Sequence, residues 1–162
     1  MGSGIPTYQT QELSDRTWAD FERLFSRANG WDFCWCMAFQ RVRHASRKEF
    51  RTRAEVSVPN HQAKKQLVDQ GRAHGILVYA QGEPVGWCQY GSSDELNGRR
   101  QPELTSAENG ARVWRVTCFV VAKKHRRNGV AGLALRAALE AIRNKGGGLV
   151  EASHQEFGHR TC

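Results

Sequence analysis

The stretch RVWRVTCFVVAKKHRRNGVAG, residues 112–132, decides the fold of this chain. Its first ten residues are almost continuously apolar or β-branched, which predicts a central strand covered on both faces. The basic run 123–127 follows and predicts a tight turn. Gly129 then begins a segment rich in Ala and Leu that extends to Lys145, and this segment predicts an amphipathic helix.

The residues that follow complete a supersecondary unit. Gly146 to Gly148 stop the helix, and Leu149 to Ala152 form a short β-rich run. A strand, a helix and a second strand in close succession predict two parallel strands joined by a right-handed crossover. The helix positions expected to face inward include Val130, Leu133, Ala137 and Ala141.

The first third of the chain predicts a strand and two helices. Residues 8–13 alternate weakly as an opening strand, and Ser14 or Asp15 is expected to cap a helix that Gly30 ends. The apolar segment 31–39 is expected to pack against the core. Pro59 is expected to interrupt the basic stretch, with Asn60 capping a second helix through about Gln70. The apolar face of the first helix is expected to comprise Trp18, Phe21, Leu24 and Phe25.

A hairpin is predicted before the central strand. Residues 76–80 and 84–90 are β-rich and flank the short turn Gln81-Gly82-Glu83. Residues 91–110 are polar and rich in Gly, Ser, Asn and Pro, which predicts a long excursion. Together the segments predict one α/β (α+β) domain over residues 1–162, with a mixed central sheet in the order β-α-α-β-β-β-α-β.

Composition favours a cytoplasmic globular protein. Apolar residues are 40% of the 162-residue chain and charged residues 25%. We expect no membrane span, no secretory signal and reduced thiols for the five cysteines. The net charge of +8 favours anionic partners and is concentrated in residues 41–72 and 123–127. No metal site is expected, because the Cys34-Trp35-Cys36 spacing is shorter than the usual zinc-ligand spacing.

The turn before the last helix has the chemistry of an anion site. The first amides of a helix lack intrahelical partners, and the helix dipole makes that end partially positive. Gly129 and Ala131 are small, so a phosphate could approach those amides closely, while Arg126 and Arg127 add charge. A lone glycine would only ease a turn, but here strand, basic cluster, small residues and helix occur together.

These residues resemble the coenzyme motif of the GNAT N-acetyltransferase superfamily. Arg126-x-x-Gly129-x-Ala131 matches the family pattern Arg/Gln-x-x-Gly-x-Gly/Ala, and it follows Phe119-x-Val121 on a strand. The segment Cys34-Trp35-Cys36-Met37, with residues 85–88, resembles a poorly characterised bacterial branch of that family. The similarity extends over roughly residues 13–152.

The resemblance implies acetyl-CoA as co-substrate and an amine as acceptor. The pantetheine arm would bind along Phe119, Val120 and Val121, and the outlying phosphate would meet Lys123, Lys124 or Arg126. The amine would attack the thioester directly, without an acyl-enzyme. Cys34, Trp35 and Cys36 are expected to line the acceptor pocket, or else to pack in the core. The residues implied to hold the pyrophosphate are Arg126, Arg127, Asn128, Gly129, Val130, Ala131 and Gly132.

The chain departs from the family pattern at its C-terminal end. Family members continue with a helix and a hairpin, and the helix often carries a tyrosine that protonates the coenzyme thiolate. The polar tail 153–162 leaves no room for these elements, so we expect a truncated end or a second copy covering the open sheet edge. The central strand has no glutamate base. Glu151 is our choice for that role, and the alternatives are Glu103, Glu108 and His154.

Two other functions remain open at this stage. A non-catalytic acyl-CoA-binding module would fit the short C-terminus. A nucleic-acid-binding protein would fit the basic residues 41–72, although no helix-turn-helix, zinc-finger or RNA-recognition signature is present.

Overall fold

The structure is a computed structural model that describes residues 6–26, 32–40, 52–96 and 109–152. Five strands form one mixed sheet in the order β1-β2-β3-β4-β5, which is also their order along the chain. The element order with two early helices and one late helix is the predicted one. The strands are β1 (Tyr8–Glu12), β2 (His74–Ala80), β3 (Glu83–Ser92), β4 (Val113–Val121) and β5 (Leu149–Ala152).

Neighbouring strands are antiparallel up to β4, and β5 runs parallel to β4. The β2–β3 hairpin closes through Gln81 and Gly82, whose φ angles of 52° and 79° suit the twist of a two-residue hairpin turn. The parallel β4–β5 pair confirms the βαβ unit. The prediction that a second copy covers the edge beyond β5 stays a prediction.

The helices lie on opposite faces of the sheet. They are α1 (Trp18–Ser26), α2 (Arg53–Asp69) and α3 (Val130–Asn144). The α1–α2 side forms one hydrophobic cluster with residues 35–37, and α3 forms another with the opposite side of the strands. The predicted apolar face of α1 is buried, and residues 34–38 are buried as expected for a core segment. The end of α1 predicted at Gly30 lies outside the described residues.

The prediction for the second helix was wrong at its start. α2 begins at Arg53, and Pro59 lies inside it. Thr52 caps the helix through a reciprocal pair, because its side chain accepts from the Glu55 amide while Glu55 Oε2 accepts from the Thr52 amide. Asn60 is not a cap, since its side chain is buried and donates to the Phe33 carbonyl at 2.9 Å. Pro59 is thus accommodated within α2, although it cannot donate a backbone hydrogen bond.

Strand β4 changes character at Thr117. The register with β3 shifts between the pairs Tyr90–Val116 and Gln89–Cys118, so Thr117 is an extra residue that forms a β-bulge. Before the bulge, residues 113–116 are buried, and β5 pairs with them alone. Beyond it, Phe119 is 41% exposed. Coverage of β4 on both faces, as predicted, therefore holds only for its first half.

The bulge also sets which side each later residue faces. Trp114 and Val116 face α3. Cys118 and Val120 continue the same every-second-residue pattern along the sequence, yet they pack on the α1–α2 side. One extra residue reverses the two faces of the strand. None of the helices in the described part of the chain is long and apolar enough to span a membrane.

Candidate functional site

The turn between β4 and α3 is fixed by backbone and side-chain contacts. Ala122 donates its amide to the Val85 carbonyl at 2.8 Å, which ties the end of β4 to β3. Residues Lys123–His125 form a single 3-10 turn. Arg126 then reaches back, and its Nε donates to the Val121 carbonyl at 3.1 Å. These bonds place the first turn of α3 directly beyond the end of the central strand.

The start of α3 presents free amides to solvent. Gly129 caps the helix in the left-handed conformation with φ 77°, and no side chain caps the helix there. Leu133 is the first residue of the helix to donate backward, to the Gly129 carbonyl at 3.0 Å. Within residues 109–152, the amides from Arg127 to Gly132 donate to no other group. Helix termini with such amides bind anions.

Nothing obstructs this helix start in the described structure. A Cβ built on Gly129 would meet no atom within 4 Å, and one on Gly132 would meet only the end of the Arg136 side chain at 3.7 Å. Ala131 is exposed. Val130 is the exception among the predicted residues, because its side chain is buried against the sheet, so it can contribute only its backbone.

Positive charge surrounds the same turn. Lys123, Lys124, Arg126 and Arg127 are all exposed. Arg127 adopts a left-handed backbone with φ 64°, a second positive-φ residue within three positions. Successive amides in turns of this kind form concave anion-binding surfaces. The backbone geometry and the surrounding positive charge therefore both favour an anion at the start of α3.

The three predicted β4 residues next to this turn face different ways. Val120 is buried on the α1–α2 side, Val121 is partly buried, and Phe119 is largely exposed. Among the described residues no strand pairs with this half of β4 on the side of β5, since pairing there ends at Val116. An open strand edge can accept an extended ligand by main-chain hydrogen bonds.

Glu151 lies on β5 next to Arg115 of β4. Its Oε2 accepts from Arg115 Nε at 3.2 Å, and Arg115 also donates to the Leu96 carbonyl at 2.9 Å. The Arg115 side chain is 2% exposed and that of Glu151 21% exposed. Glu151 thus neutralises a buried guanidinium. The alternative bases named from the sequence, Glu103, Glu108 and His154, lie outside the described residues.

The segment Cys34-Trp35-Cys36 is buried, and only its tryptophan reaches a cleft. Trp35 Nε1 donates to Ser57 Oγ at 3.0 Å. Its ring helps to line an open cleft of about 640 Å³ between α1 and α2. Cys34 and Cys36 do not line that cleft. The other lining residues are Ala19, Glu22, Arg23, Ser26, Ser57, Val58, His61 and Gln62.

A polar cluster beneath β4 was not predicted from the sequence. Gln89 is fully buried, donates to the Cys36 carbonyl at 2.9 Å and accepts from Thr117 Oγ1 at 3.1 Å. Lys64 is also fully buried, and among the described residues its Nζ has no hydrogen-bond partner. Burial lowers the pKa of Lys64. Gln89 stands out as a polar residue in an apolar strand, but no sequence signal marks Lys64.

Cys36 joins this cluster through sulfur contacts. Trp87 Nε1 donates to Cys36 Sγ at 3.2 Å, and the Cys36 thiol donates to Cys118 Sγ at 3.0 Å. Burial, followed by the contact with Cys118, raises the pKa of the Cys36 thiol well above its usual value. In the described part of the chain, no three His, Cys, Asp or Glu side chains converge as metal ligands would.

The chain is similar in fold to several solved acetyltransferases. A ribosomal-protein-alanine N-acetyltransferase from Brucella melitensis biovar Abortus 2308 is 14% identical with a TM-score of 0.57, covering 94% of this chain and 83% of its own. An aminoglycoside acetyltransferase from an uncultured soil metagenomic sample, in complex with sisomicin, is 12% identical with a TM-score of 0.58, covering 92% and 78%. An aminoglycoside N-acetyltransferase in complex with CoA is 11% identical with a TM-score of 0.57, covering 96% and 82%.

Such low identities establish the fold alone. A search of curated proteins finds no significant match. The family model of the acetyltransferase (GNAT) family, however, matches residues 10–160, which include all the helices and strands described above except the first two residues of β1. The chain therefore belongs to the acetyltransferase (GNAT) family, a family of acyltransferases.

Proposed function

We propose that this protein transfers an acetyl group from acetyl-CoA to a primary amine by direct attack of the amine on the thioester. The observation that carries the proposal is the unobstructed set of amides from Arg127 to Gly132 at the start of α3. A pyrophosphate there would accept several backbone hydrogen bonds and meet the positive end of the helix dipole. Family membership and the solved CoA complex of a similar fold support the same ligand.

The open half of β4 receives the pantetheine arm in this proposal. Main-chain groups of Phe119 and Val120 bind it as an added strand, and the exposed Phe119 ring covers it. The Val121 carbonyl is already occupied by Arg126 Nε at 3.1 Å, so Arg126 positions the strand end and contributes its charge to the phosphates. Lys123 and Lys124 are exposed and available for the outlying phosphate.

The acceptor is proposed to be an amine that approaches from the α1–α2 side. Trp35 lines the cleft on that side together with Glu22, whose carboxylate attracts a protonated amine. Glu22 Oε1 lies 2.6 Å from His61 Nε2, and this contact holds the carboxylate at the wall of the cleft. The proteins of similar fold include a ribosomal-protein-alanine N-acetyltransferase and an aminoglycoside acetyltransferase in complex with sisomicin.

Glu151 remains our proposal for the residue that takes the proton of the attacking amine. Its Oε2 is held by Arg115, which fixes the carboxylate in place, and 21% of its side chain stays accessible. A base needs both orientation and access to the acceptor. Replacing Glu151 distinguishes a role in proton transfer from a role in coenzyme binding. Glu151→Gln should lower kcat for acetyl transfer by about 10²-fold while leaving the acetyl-CoA Kd within about twofold.

Calorimetric titration with acetyl-CoA tests the proposed coenzyme site. Ala131→Glu places a carboxylate among the free amides, so acetyl-CoA affinity should fall by at least about 100-fold through charge repulsion and competition for those amides. The same change should leave stability unaltered or raise it by about 0.5 kcal/mol, because acidic side chains stabilise helix N-termini. Weaker binding therefore cannot be ascribed to unfolding.

Ala131→Gln is the matched control. It has nearly the same size without the charge, and we expect it to lose only about three- to tenfold in affinity. Equal affinities for wild type and Ala131→Glu would refute the coenzyme site. Tight binding with no turnover on a panel of amines would instead identify a non-catalytic acyl-CoA-binding module.

A further inference from the structure

Two cysteine thiols that are distant in sequence meet inside the molecule. Cys36 and Cys118 are 82 positions apart, yet their sulfur atoms lie 3.0 Å from each other. Cys36 is 2% exposed, whereas Cys118 is only partly buried. Two sulfurs this close need to move only about 1 Å to reach the bond length of about 2.0 Å of a disulfide.

An unusual backbone conformation brings each thiol to this contact. Trp35 and Cys36 both have left-handed conformations, with φ 49° and 50°. Side-chain-bearing residues in that region cost about 1 kcal/mol or more each and persist only where the surroundings impose them. On the other side, the bulge at Thr117 turns Cys118 toward the α1–α2 face. Without either irregularity the two sulfurs would not face each other.

The surroundings favour chemistry at Cys118 first. Cys36 keeps its proton, because burial raises its pKa, and it donates that proton in a hydrogen bond to Cys118 Sγ. Lys64 lies buried in the same cluster without a hydrogen-bond partner among the described residues. Cys36 is therefore the hydrogen-bond donor of the pair, and Cys118 is the acceptor. Cys118 is also the less buried residue of the pair.

We propose that Cys36 and Cys118 form a redox-active dithiol that hydroperoxides oxidise to an intramolecular disulfide. The Cys118 thiolate attacks the outer peroxide oxygen, the O–O bond breaks, and an alcohol, or water from hydrogen peroxide, leaves with a proton. Cys36 sulfur then attacks the resulting sulfenic acid, the S–O bond breaks, and the hydroxide departs as water with the Cys36 proton. Two thiols and one hydroperoxide give one disulfide, water and the alcohol.

The dithiol lies beside the proposed coenzyme cleft. Cys118 is the first residue after the bulge and precedes Phe119, which we assign to the pantetheine arm. Forming the disulfide would draw this part of β4 toward the buried segment 34–38. This consequence rests on the proposed function, and oxidation should therefore weaken acetyl-CoA binding by about tenfold. The dithiol itself does not depend on acetyl-CoA.

Peptide mapping after oxidation tests the dithiol directly. The 162-residue chain carrying Cys162→Ser, which leaves the four described cysteines, is reduced, desalted and treated with hydrogen peroxide. Mass spectrometry without reductant should find a Cys36–Cys118 crosslink with the loss of two hydrogens, and dithiothreitol should restore both thiols. Cys118 oxidised to sulfinic acid beside an unmodified Cys36, or a crosslink through Cys34 or Cys88, would overturn the proposal.

Serine variants in the same background separate the pair from general thiol reactivity. Cys118→Ser should abolish the crosslink and slow the loss of the remaining thiols by at least about tenfold. Cys88→Ser is the matched control, because Cys88 is buried on the α3 face and burial raises its pKa to about 12. It should oxidise like the parent. If a serine variant unfolds, the peptide map of the oxidised parent chain still shows whether Cys36 and Cys118 form the crosslink.

Calorimetry with acetyl-CoA on the crosslinked and reduced parent tests the coupling to the cleft. Unchanged affinity in the fully crosslinked protein would overturn that coupling. If neither form binds acetyl-CoA, the proposed function fails while the crosslink map still stands for the dithiol.

Discussion

The two faces of the sheet are covered by different kinds of side chain. On the α3 face, small aliphatic side chains pack closely, and the polar atoms of Tyr90 and Trp114 reach Glu12 Oε1 at 2.7 Å and the Gly147 carbonyl at 2.8 Å. On the α1–α2 face, Lys64 and Arg115 are buried charged residues. Buried polar groups cost free energy that packing must offset. The α3 face is therefore largely apolar and closely packed, whereas the α1–α2 face buries charged side chains.

The largest effect that should sharpen this comparison is expected at Glu151. Glu151→Gln keeps the size of the side chain and removes the charge that faces Arg115, whose side chain is 2% exposed. We expect the free energy of unfolding in urea to fall by about 2–3 kcal/mol, toward the low end for a buried pair because Glu151 is partly accessible. Glu140→Gln, an exposed acid of α3, should change it by less than about 0.5 kcal/mol. Equal losses in both variants would contradict the assigned ion pair.

The next effect concerns close packing on the α3 face. A Cβ on Gly86 would lie 2.5 Å from Val130 Cγ1 and 3.2 Å from Val78 Cβ. Gly86→Ala should therefore push α3 from the sheet and lower the free energy of unfolding by about 1–2 kcal/mol. Gly132→Ala adds the same methyl group where the nearest atom is 3.7 Å away, and it should be neutral or stabilising by about 0.5 kcal/mol. A neutral Gly86→Ala would show that α3 has room to move.

The smallest expected effect is of opposite sign and belongs to Lys64. Lys64→Met replaces a buried amine, whose Nζ has no hydrogen-bond partner among the described residues, by an apolar side chain of similar length. Urea denaturation at neutral pH should show a gain of about 1 kcal/mol. Lys65→Met, on the same helix but more exposed, should change stability by less than about 0.5 kcal/mol. A loss of stability in Lys64→Met would indicate that the amine has a partner essential to the fold.

The gain from Lys64→Met should depend on pH. Folding lowers the pKa of Lys64, mainly through burial, so the unfolded chain binds more protons between the folded value and the ordinary value of 10.5. The stability of the wild type relative to Lys64→Met therefore rises with pH through that interval. Comparing the two proteins cancels the tyrosine titrations, whereas the pKa of Cys36 should rise further in Lys64→Met because the amine lowers it in the wild type. A difference that stays constant as the pH approaches 10.5 would argue against a lowered pKa.

Local patterns were sufficient to predict the order of elements and the helix start at Gly129. An apolar β-branched run, a basic turn and an Ala/Leu helix each depend on neighbouring residues, and their bounds were nearly correct. The start of α2 was missed because Pro59 was interpreted as a helix breaker. The Thr52-x-x-Glu55 capping box, visible in the sequence, was the better signal.

The α1–α2 cluster could not be predicted, because it depends on distant contacts. The thiol pair joins residues 82 positions apart, and its geometry requires a bulge and two left-handed residues that no local pattern encodes. Lys64 occurs in a polar helix whose sequence gives no inward face. On α3 the predicted inward residues Val130 and Ala141 are buried. Between them the buried positions are Ala134 and Ala138, whereas the predicted Leu133 and Ala137 are only partly buried.

The extra residue at Thr117 constrains how the length of this strand can vary during evolution. Deleting Thr117 itself would join Val116 directly to Cys118 and close the bulge, while Phe119 and Val120 would keep their partners Cys88 and Trp87 and their sides of the sheet. Deleting a residue elsewhere in the strand would instead move a buried side chain away from its partner in β3. Homologous chains should therefore lose a residue at this position more readily than at its neighbours.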